Sequence, residues 1–206
     1  MISSVDDVTA FILAGGKSAR MGSDKAFLEL KGRTLLERAL DTALALTPEA
    51  IIVGERSKFA RFGIVVEDVF RERGPLGGIH AALRNSATDI NLMLAVDMPF
   101  VSWALLRYLI SHAEKSLDAS AVVPRSKEGW QPLCAIYRRT FADAAEEALR
   151  AGENKIDRLF EKVRVHAIGH EELESAGFSN GIFRNLNTPD ELQASAGLTA
   201  SKTSKE

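Results

Sequence analysis

Six consecutive apolar or β-branched residues, Val8 to Leu13, run straight into a glycine pair at Gly15 and Gly16. A strand without polar alternation is one buried on both faces, as parallel strands are. It commits the chain to a mostly parallel sheet with helices packed on either side. Leu35, Leu36, Ala39, Leu40, Ala43 and Leu44 then recur at helical spacing, with Thr34 as a cap and Pro48 past the end. The spacing predicts a helix from about Thr34 to Leu46. Further strands are expected at Ile51 to Val53, Ile64 to Val66, Asn91 to Val96, Ala121 to Val123, Leu133 to Tyr137 and Arg164 to Ile168. Helices are expected at Gly78 to Arg84, Ser102 to Glu114 and Thr140 to Arg150, with a last turn or two at Pro189 to Gln193. Alternation of this kind predicts an α/β class, a single three-layer Rossmann-like domain with a mostly parallel sheet.

Length agrees with one domain: 206 residues against about 150 for a typical unit. The domain is expected over residues 1–193, and the Ser, Thr and Lys residues of 194–206 suggest a fraying tail. With 26 Lys+Arg against 28 Asp+Glu, net charge −2, the chain lacks the basic footprint of duplex-binding proteins, so no nucleic-acid partner is expected. Apolar stretches such as Leu92 to Val96 fall far short of the roughly 20 residues of a membrane span, so no membrane partner is expected either. Asp6 and Asp7 stand where a signal peptide would carry cations. Cys134, the chain's one cysteine, cannot form an intramolecular disulfide and reads as a small buried hydrophobe. Together these features point to the cytoplasm.

In sheets of this type ligands bind where loops leave the carboxyl ends of strands. Gly15 follows the first expected strand, Asp68 the third and Asp97 the fourth. The loop LAGGKSARMGSDKA, Leu13 to Ala26, holds Gly15, Gly16 and Gly22 together with Lys17, Arg20 and Lys25. Glycines let backbone N–H groups approach an anion, and cations crowded together repel until one arrives, so the loop reads as a polyphosphate cradle. Its spacing fits neither a Walker loop nor a dinucleotide fingerprint. Asp97, at the end of an apolar run and followed by Met98 and Pro99, can supply the hard oxygen ligand that Mg²⁺ prefers. A capping role is the alternative for Asp97. His80, His112, His166 and His170 show no ligand spacing with cysteines or acids, so no zinc site is expected. Trp103 and Trp130 read as core or pocket wall.

The segment Leu13 to Ala26 resembles the signature of nucleotidyltransferases that load sugars and cofactors with a nucleotide, and its LAGG form is most similar to the molybdenum cofactor guanylyltransferases. GPLGGIHAAL from Gly74, AVDMPF from Ala95, WQPLCAIYRR from Trp130 and NLNTPDEL from Asn185 resemble that family's later blocks, in order, from about Val8 to Leu192. The resemblance implies transfer of GMP from GTP to molybdopterin with release of pyrophosphate, Mg²⁺ as cofactor, and GTP, molybdopterin and other molybdenum cofactor biosynthesis proteins as partners. It implies nucleotide contacts from Leu13, Ala14 and Gly15, largely through backbone, and from Lys25, Asp68 and Asp97, with Asp97 also the metal ligand. Lys25, Arg20 and Asp97 are the expected catalytic residues, the two cations facing the leaving pyrophosphate. Asn187 is expected near metal or phosphates and Thr188 as a cap, while Glu67 reads as an ordinary solvated acid. The second substrate is expected at Trp130 to Cys134 and Gly74 to Gly78.

Gly54 departs from the family pattern, in which an Asn there helps hold the nucleotide; backbone groups of Gly54 or Glu55 are the expected substitutes. Three other readings stay open: cytidylyl transfer to the same cofactor, where LAAG is usual; sugar-phosphate nucleotidyl transfer; and a GTP-binding regulatory domain without turnover.

Overall fold

The computed structural model describes residues 7–15, 24–70 and 72–186. The chain runs β1 (Val8–Leu13), a 3-10 turn (Lys25–Phe27), a small hairpin β2 (Glu29–Leu30) and β3 (Arg33–Thr34), α1 (Leu35–Leu44), β4 (Ala50–Val53), α2 (Arg56–Phe59), β5 (Val65–Val66), α3 (Pro75–Asn85) and β6 (Ile90–Ala95). It continues through α4 (Trp103–Lys115), β7 (Ala121–Ser126), β8 (Gly129–Trp130), β9 (Cys134–Arg138), α5 (Phe141–Arg150), α6 (Ile156–Phe160), β10 (Val165–Gly169) and α7 (His170–Ser175), and ends in a 3-10 turn, Asn180–Phe183.

One sheet carries the order β10-β7-β9-β6-β1-β4-β5, with β8 added to β7. β1 is parallel to both β4 and β6, whereas β9 is antiparallel to its neighbours β6 and β7. Alternation along β1 splits the core. Val8, Ala10 and Ile12 face the side packed by α1, α4 and α7; Phe11 and Leu13 face α3, α5 and α6. These are the three layers read from the sequence, and all six residues of β1 are buried.

Local chemistry explains the helix ends. Thr34 and Glu37 form a reciprocal capping box at α1: each side chain accepts the other's backbone N–H. Ser102 accepts the Leu105 N–H at the start of α4. α3 begins at Pro75, not Gly78, because Gly74 takes a φ of 70° that turns the chain in and Pro75 fits the first helical position. GPLGG is thus the first turn of the helix and not a loop before it. The expected turn at Pro189 to Gln193 and the tail at 194–206 lie outside the described residues.

β1 is the point where strand order reverses, with β4 and β5 laid down on one side and β6 on the other. The crevice at the carboxyl ends of β1 and β6 is therefore where such a sheet takes ligands.

Candidate active site

Leu13 pairs with Ala95 in the β1–β6 register, so Gly15 and Asp97 each leave the sheet two residues past the last matched pair. The backbone is closely tied here. The Ala14 and Gly15 N–H groups both donate to the Val53 carbonyl at 3.0 Å, and the Val96 N–H donates to the Leu13 carbonyl at 3.2 Å. With these donors engaged, Ala14 and Gly15 can offer a ligand carbonyl oxygen rather than an N–H group. Gly16, Lys17, Arg20 and Gly22 lie outside the described residues.

Lys25 stands on the 3-10 turn, which Asp24 caps by accepting the Ala26 N–H at 3.2 Å. Its ammonium lies 3.5 Å from Asp97 Oδ2, bringing together two residues 72 positions apart in sequence. The turn is buttressed from behind. Phe27 packs on Phe59 and on Phe62, each at 5.7 Å between ring centres, Arg61 lies over the Phe62 ring at 4.6 Å, and Lys58 Nζ pairs with Asp24 Oδ2 at 3.4 Å. Sequence reading missed this support, since α2 is a single turn with no period to detect.

The support also accounts for Gly54. A Cβ there would sit 2.7 Å from Phe59 Cε2, so the buried Phe59 ring occupies the space a side chain would need. Two of the four backbone groups expected to substitute for the missing Asn are engaged within the fold: the Gly54 N–H donates to the Val66 carbonyl, and the Glu55 carbonyl accepts from Lys58 and Phe59 as α2 begins.

On the far side of Asp97, its carbonyl accepts the Leu186 N–H at 2.9 Å, and Arg184 lies over the Phe100 ring at 4.6 Å. Leu186, in the last block, is thus tied to Asp97, while Asn187 and Thr188 lie outside the described residues.

Asp68 follows β5 and reaches α3. Its carboxylate presses on Gly77 in the helix's first turn, where an added Cβ would lie 2.4 Å from Oδ2, and Oδ1 accepts the Phe70 N–H at 2.8 Å. A helix's first turn favours a negative charge. Burial nevertheless raises the Asp68 carboxyl above the usual range, opposed in part by the Phe70 N–H and the nearby His80 imidazole. His80 is itself buried, with the Phe70 ring edge-on to it at 5.1 Å and Glu146 Oε2 3.4 Å from Nε2.

Several expectations change. Glu67 is exposed yet accepts the Arg56 N–H at 3.1 Å, anchoring α2. Trp103 is not core: it opens α4 at 46% exposure. Trp130 is half-buried, edge-on to Phe160 at 5.1 Å and covered by the Arg125 guanidinium at 5.3 Å. Gln131 Nε2 donates to Ser126 Oγ at 2.9 Å. Cys134 is fully buried, its thiol pushed up to about 12, and so drops out of any ligand-facing set. His112 Nδ1 and His166 Nε2 come within 3.1 Å, a pairing across 54 residues that no sequence spacing announces.

The residues at the crevice fit a magnesium ion. Asp97 offers hard oxygen at a spot that already faces a cation, and among the described residues no group of three or more His, Cys, Asp or Glu side chains forms a closed cage. Mg²⁺ needs only one or two carboxylates when phosphates and water complete its shell.

A family profile described as a MobA-like NTP transferase domain matches residues 10–168. A molybdenum cofactor guanylyltransferase of Desulfosudis oleivorans is 35% identical over 204 residues, covering 97% of this chain and 100% of that protein. A second, from Syntrophotalea carbinolica, is 34% identical over 187 residues, 90% of this chain and 89% of that one. The crystal structure of molybdopterin-guanine dinucleotide biosynthesis protein A from Archaeoglobus fulgidus superposes with a TM-score of 0.80 at 29% identity, over 94% of this chain and 99% of that one. The chain is a nucleotidyltransferase and belongs to the family of MobA-like NTP transferases.

Proposed function

We propose that the protein transfers GMP from Mg²⁺-bound GTP to the terminal phosphate of molybdopterin. The observation that carries the reading is the approach of Lys25 to Asp97, 3.5 Å apart at the switch point of the sheet. A phosphate oxygen of molybdopterin attacks the α-phosphorus of GTP; the bond from that phosphorus to the oxygen bridging it to the β-phosphate breaks, and pyrophosphate leaves with the electron pair. The attacking group is already an anion, so no protein nucleophile or base is required, and catalysis reduces to alignment and charge neutralisation. Lys25, on a turn fixed by Asp24 and Phe27, faces the charge that develops on the leaving group, with Arg20 as its proposed partner. Asp97 would hold Mg²⁺, which would act as a Lewis acid and neutralise phosphate charge. Carbonyl oxygens of Ala14 and Gly15 suit the donor edge of a guanine, Leu13, whose carbonyl takes the Val96 N–H, is proposed to contact the nucleotide beside them, and Asp68 suits a nucleotide hydroxyl or amino group. The second substrate is proposed to lie toward Gln131 and the start of α3.

None of the helices among the described residues is long and apolar enough to cross a membrane. We assign the reaction to the cytoplasm, beside other molybdenum cofactor biosynthesis proteins.

Pyrophosphate release with GTP, Mg²⁺ and molybdopterin tests the reading, with CTP, ATP and UTP in parallel. GTP-dependent release that needs molybdopterin supports it. Preference for CTP transfers the assignment to cytidylyl chemistry, and GTP binding without product leaves a regulatory domain.

A further inference from the structure

We infer that Lys25 holds the place of the divalent ion at Asp97, so that the site excludes free metal and admits it only with the nucleotide. The inference rests on the reading above, in which Asp97 is the metal ligand. The Lys25 ammonium and the Asp97 carboxylate, 3.5 Å apart, are 27% and 20% exposed, so water screens their attraction only in part. A divalent ion arriving alone meets a carboxylate already engaged by a cation that repels it. A triphosphate changes this balance, because its oxygens take up the ammonium and leave Asp97 to the metal.

Among the described residues, the backbone on either side of the pair is held in place. Asp24 caps the turn, Lys58 pairs with Asp24, and Phe27 is packed against Phe59 and Phe62. On the other side the Asp97 carbonyl is held by the Leu186 N–H. The backbone therefore stays put while the flexible four-carbon stem of Lys25 swings from carboxylate to phosphate. In this arrangement Lys25 does two things: it neutralises phosphate, and it makes the metal–nucleotide complex, not the bare ion, the species that binds.

The experiment measures Mn²⁺ affinity by the electron paramagnetic resonance of free Mn²⁺. It uses the full-length protein, Lys25→Met, Asp97→Asn and the double variant, with and without a GTP analogue carrying methylene between the α- and β-phosphorus. Without nucleotide, Lys25→Met is expected to bind Mn²⁺ on the order of tenfold more tightly than the parent, and adding Asp97→Asn should abolish that gain. With the analogue the order should invert, the parent holding Mn²⁺ more tightly than Lys25→Met. Unchanged Mn²⁺ affinity in Lys25→Met overturns the inference, as does a gain that persists in the double variant. Either result leaves the functional reading standing if the parent still binds Mn²⁺ with the analogue in an Asp97-dependent way. Absence of that Asp97-dependent binding overturns both.

Discussion

Asp97 and Asp68 both leave parallel strands at the same edge of the sheet, yet they are held in opposite ways. Asp97 faces an ammonium 3.5 Å away, and its own carbonyl fastens the last segment of the site. Asp68 has a backbone N–H and the flank of a glycine, and burial raises its carboxyl above the usual range. One carboxylate is held by charge, the other by a backbone N–H and by packing against the first turn of α3. The two should therefore fail differently when perturbed.

The charge-poised arm should show the largest effect. Loss of one preorganised electrostatic contact typically costs about 2.7–4 kcal/mol in the barrier, so Lys25→Ala should lower the rate of pyrophosphate release by roughly 10² to 10³. Its fold should persist, since Lys25 is only partly buried and its turn is held by Asp24 and Phe27. A rate within threefold of the parent removes Lys25 from the chemistry.

On the packing arm the sharpest probe is Gly77→Ala. The new methyl would sit 2.4 Å from Asp68 Oδ2, so the carboxylate must leave its place. Misplacing a positioning group by about 1 Å can cost up to 100-fold, and a loss of roughly ten- to a hundredfold in kcat/KM for GTP is expected, mostly in KM. Alanine is the better helix former, so stability should not fall in proportion. Equal loss of stability and activity would mean that the contact organises α3, not the site.

A smaller effect should separate direct charge from its support. Gly54→Ala must displace the Phe59 ring, which packs on Phe27 in the Lys25 turn. A threefold to tenfold drop in kcat/KM is expected, about 0.7–1.4 kcal/mol. In a Phe59→Leu background the same substitution should cost less, because contacting residues couple by about 0.5–3 kcal/mol. Additive losses would break the proposed link from α2 to Lys25.

The charge-poised arm was the more legible in sequence. The runs Val8 to Leu13 and Leu92 to Val96 mark buried parallel strands by composition alone, and such strands put Gly15 and Asp97 at one edge. The cap at Thr34 is likewise a local signal, though its reciprocal partner Glu37 emerges only in the fold. What escaped was tertiary or too short to have a period: the two-residue strands β2 and β3, the single turn α2, and the short helices α6 and α7. The contact of Phe59 with Gly54, the seat of Asp68 on Gly77 and the approach of His112 to His166 depend on packing between elements, which residue spacing does not encode. The five-residue window Trp130 to Cys134, assigned to the second substrate by resemblance, is divided by the fold: Cys134 faces the core, in line with its reading as a small buried hydrophobe.

Asp68→Asn should show the smallest change in stability, but one with an informative sign. Because burial raises the folded-state carboxyl above its ordinary value of 3.8, the native state keeps its proton to higher pH than the unfolded chain does. Between the two values the native state binds more protons, so stability falls as pH rises through the folded value. At neutral pH the ionised Asp68 is thus a net cost to the fold, and the neutral amide should remove it. Tm at pH 7 should rise slightly, on a scale of about 2–4 °C per kcal/mol for a chain of this size, and the gain should shrink as pH drops below the folded value. Affinity for GTP should weaken in the same variant. A Tm that instead falls at pH 7 would show that the Phe70 N–H and the first turn of α3 outweigh burial, and Asp68 would then belong with Asp97 among the carboxylates poised by charge.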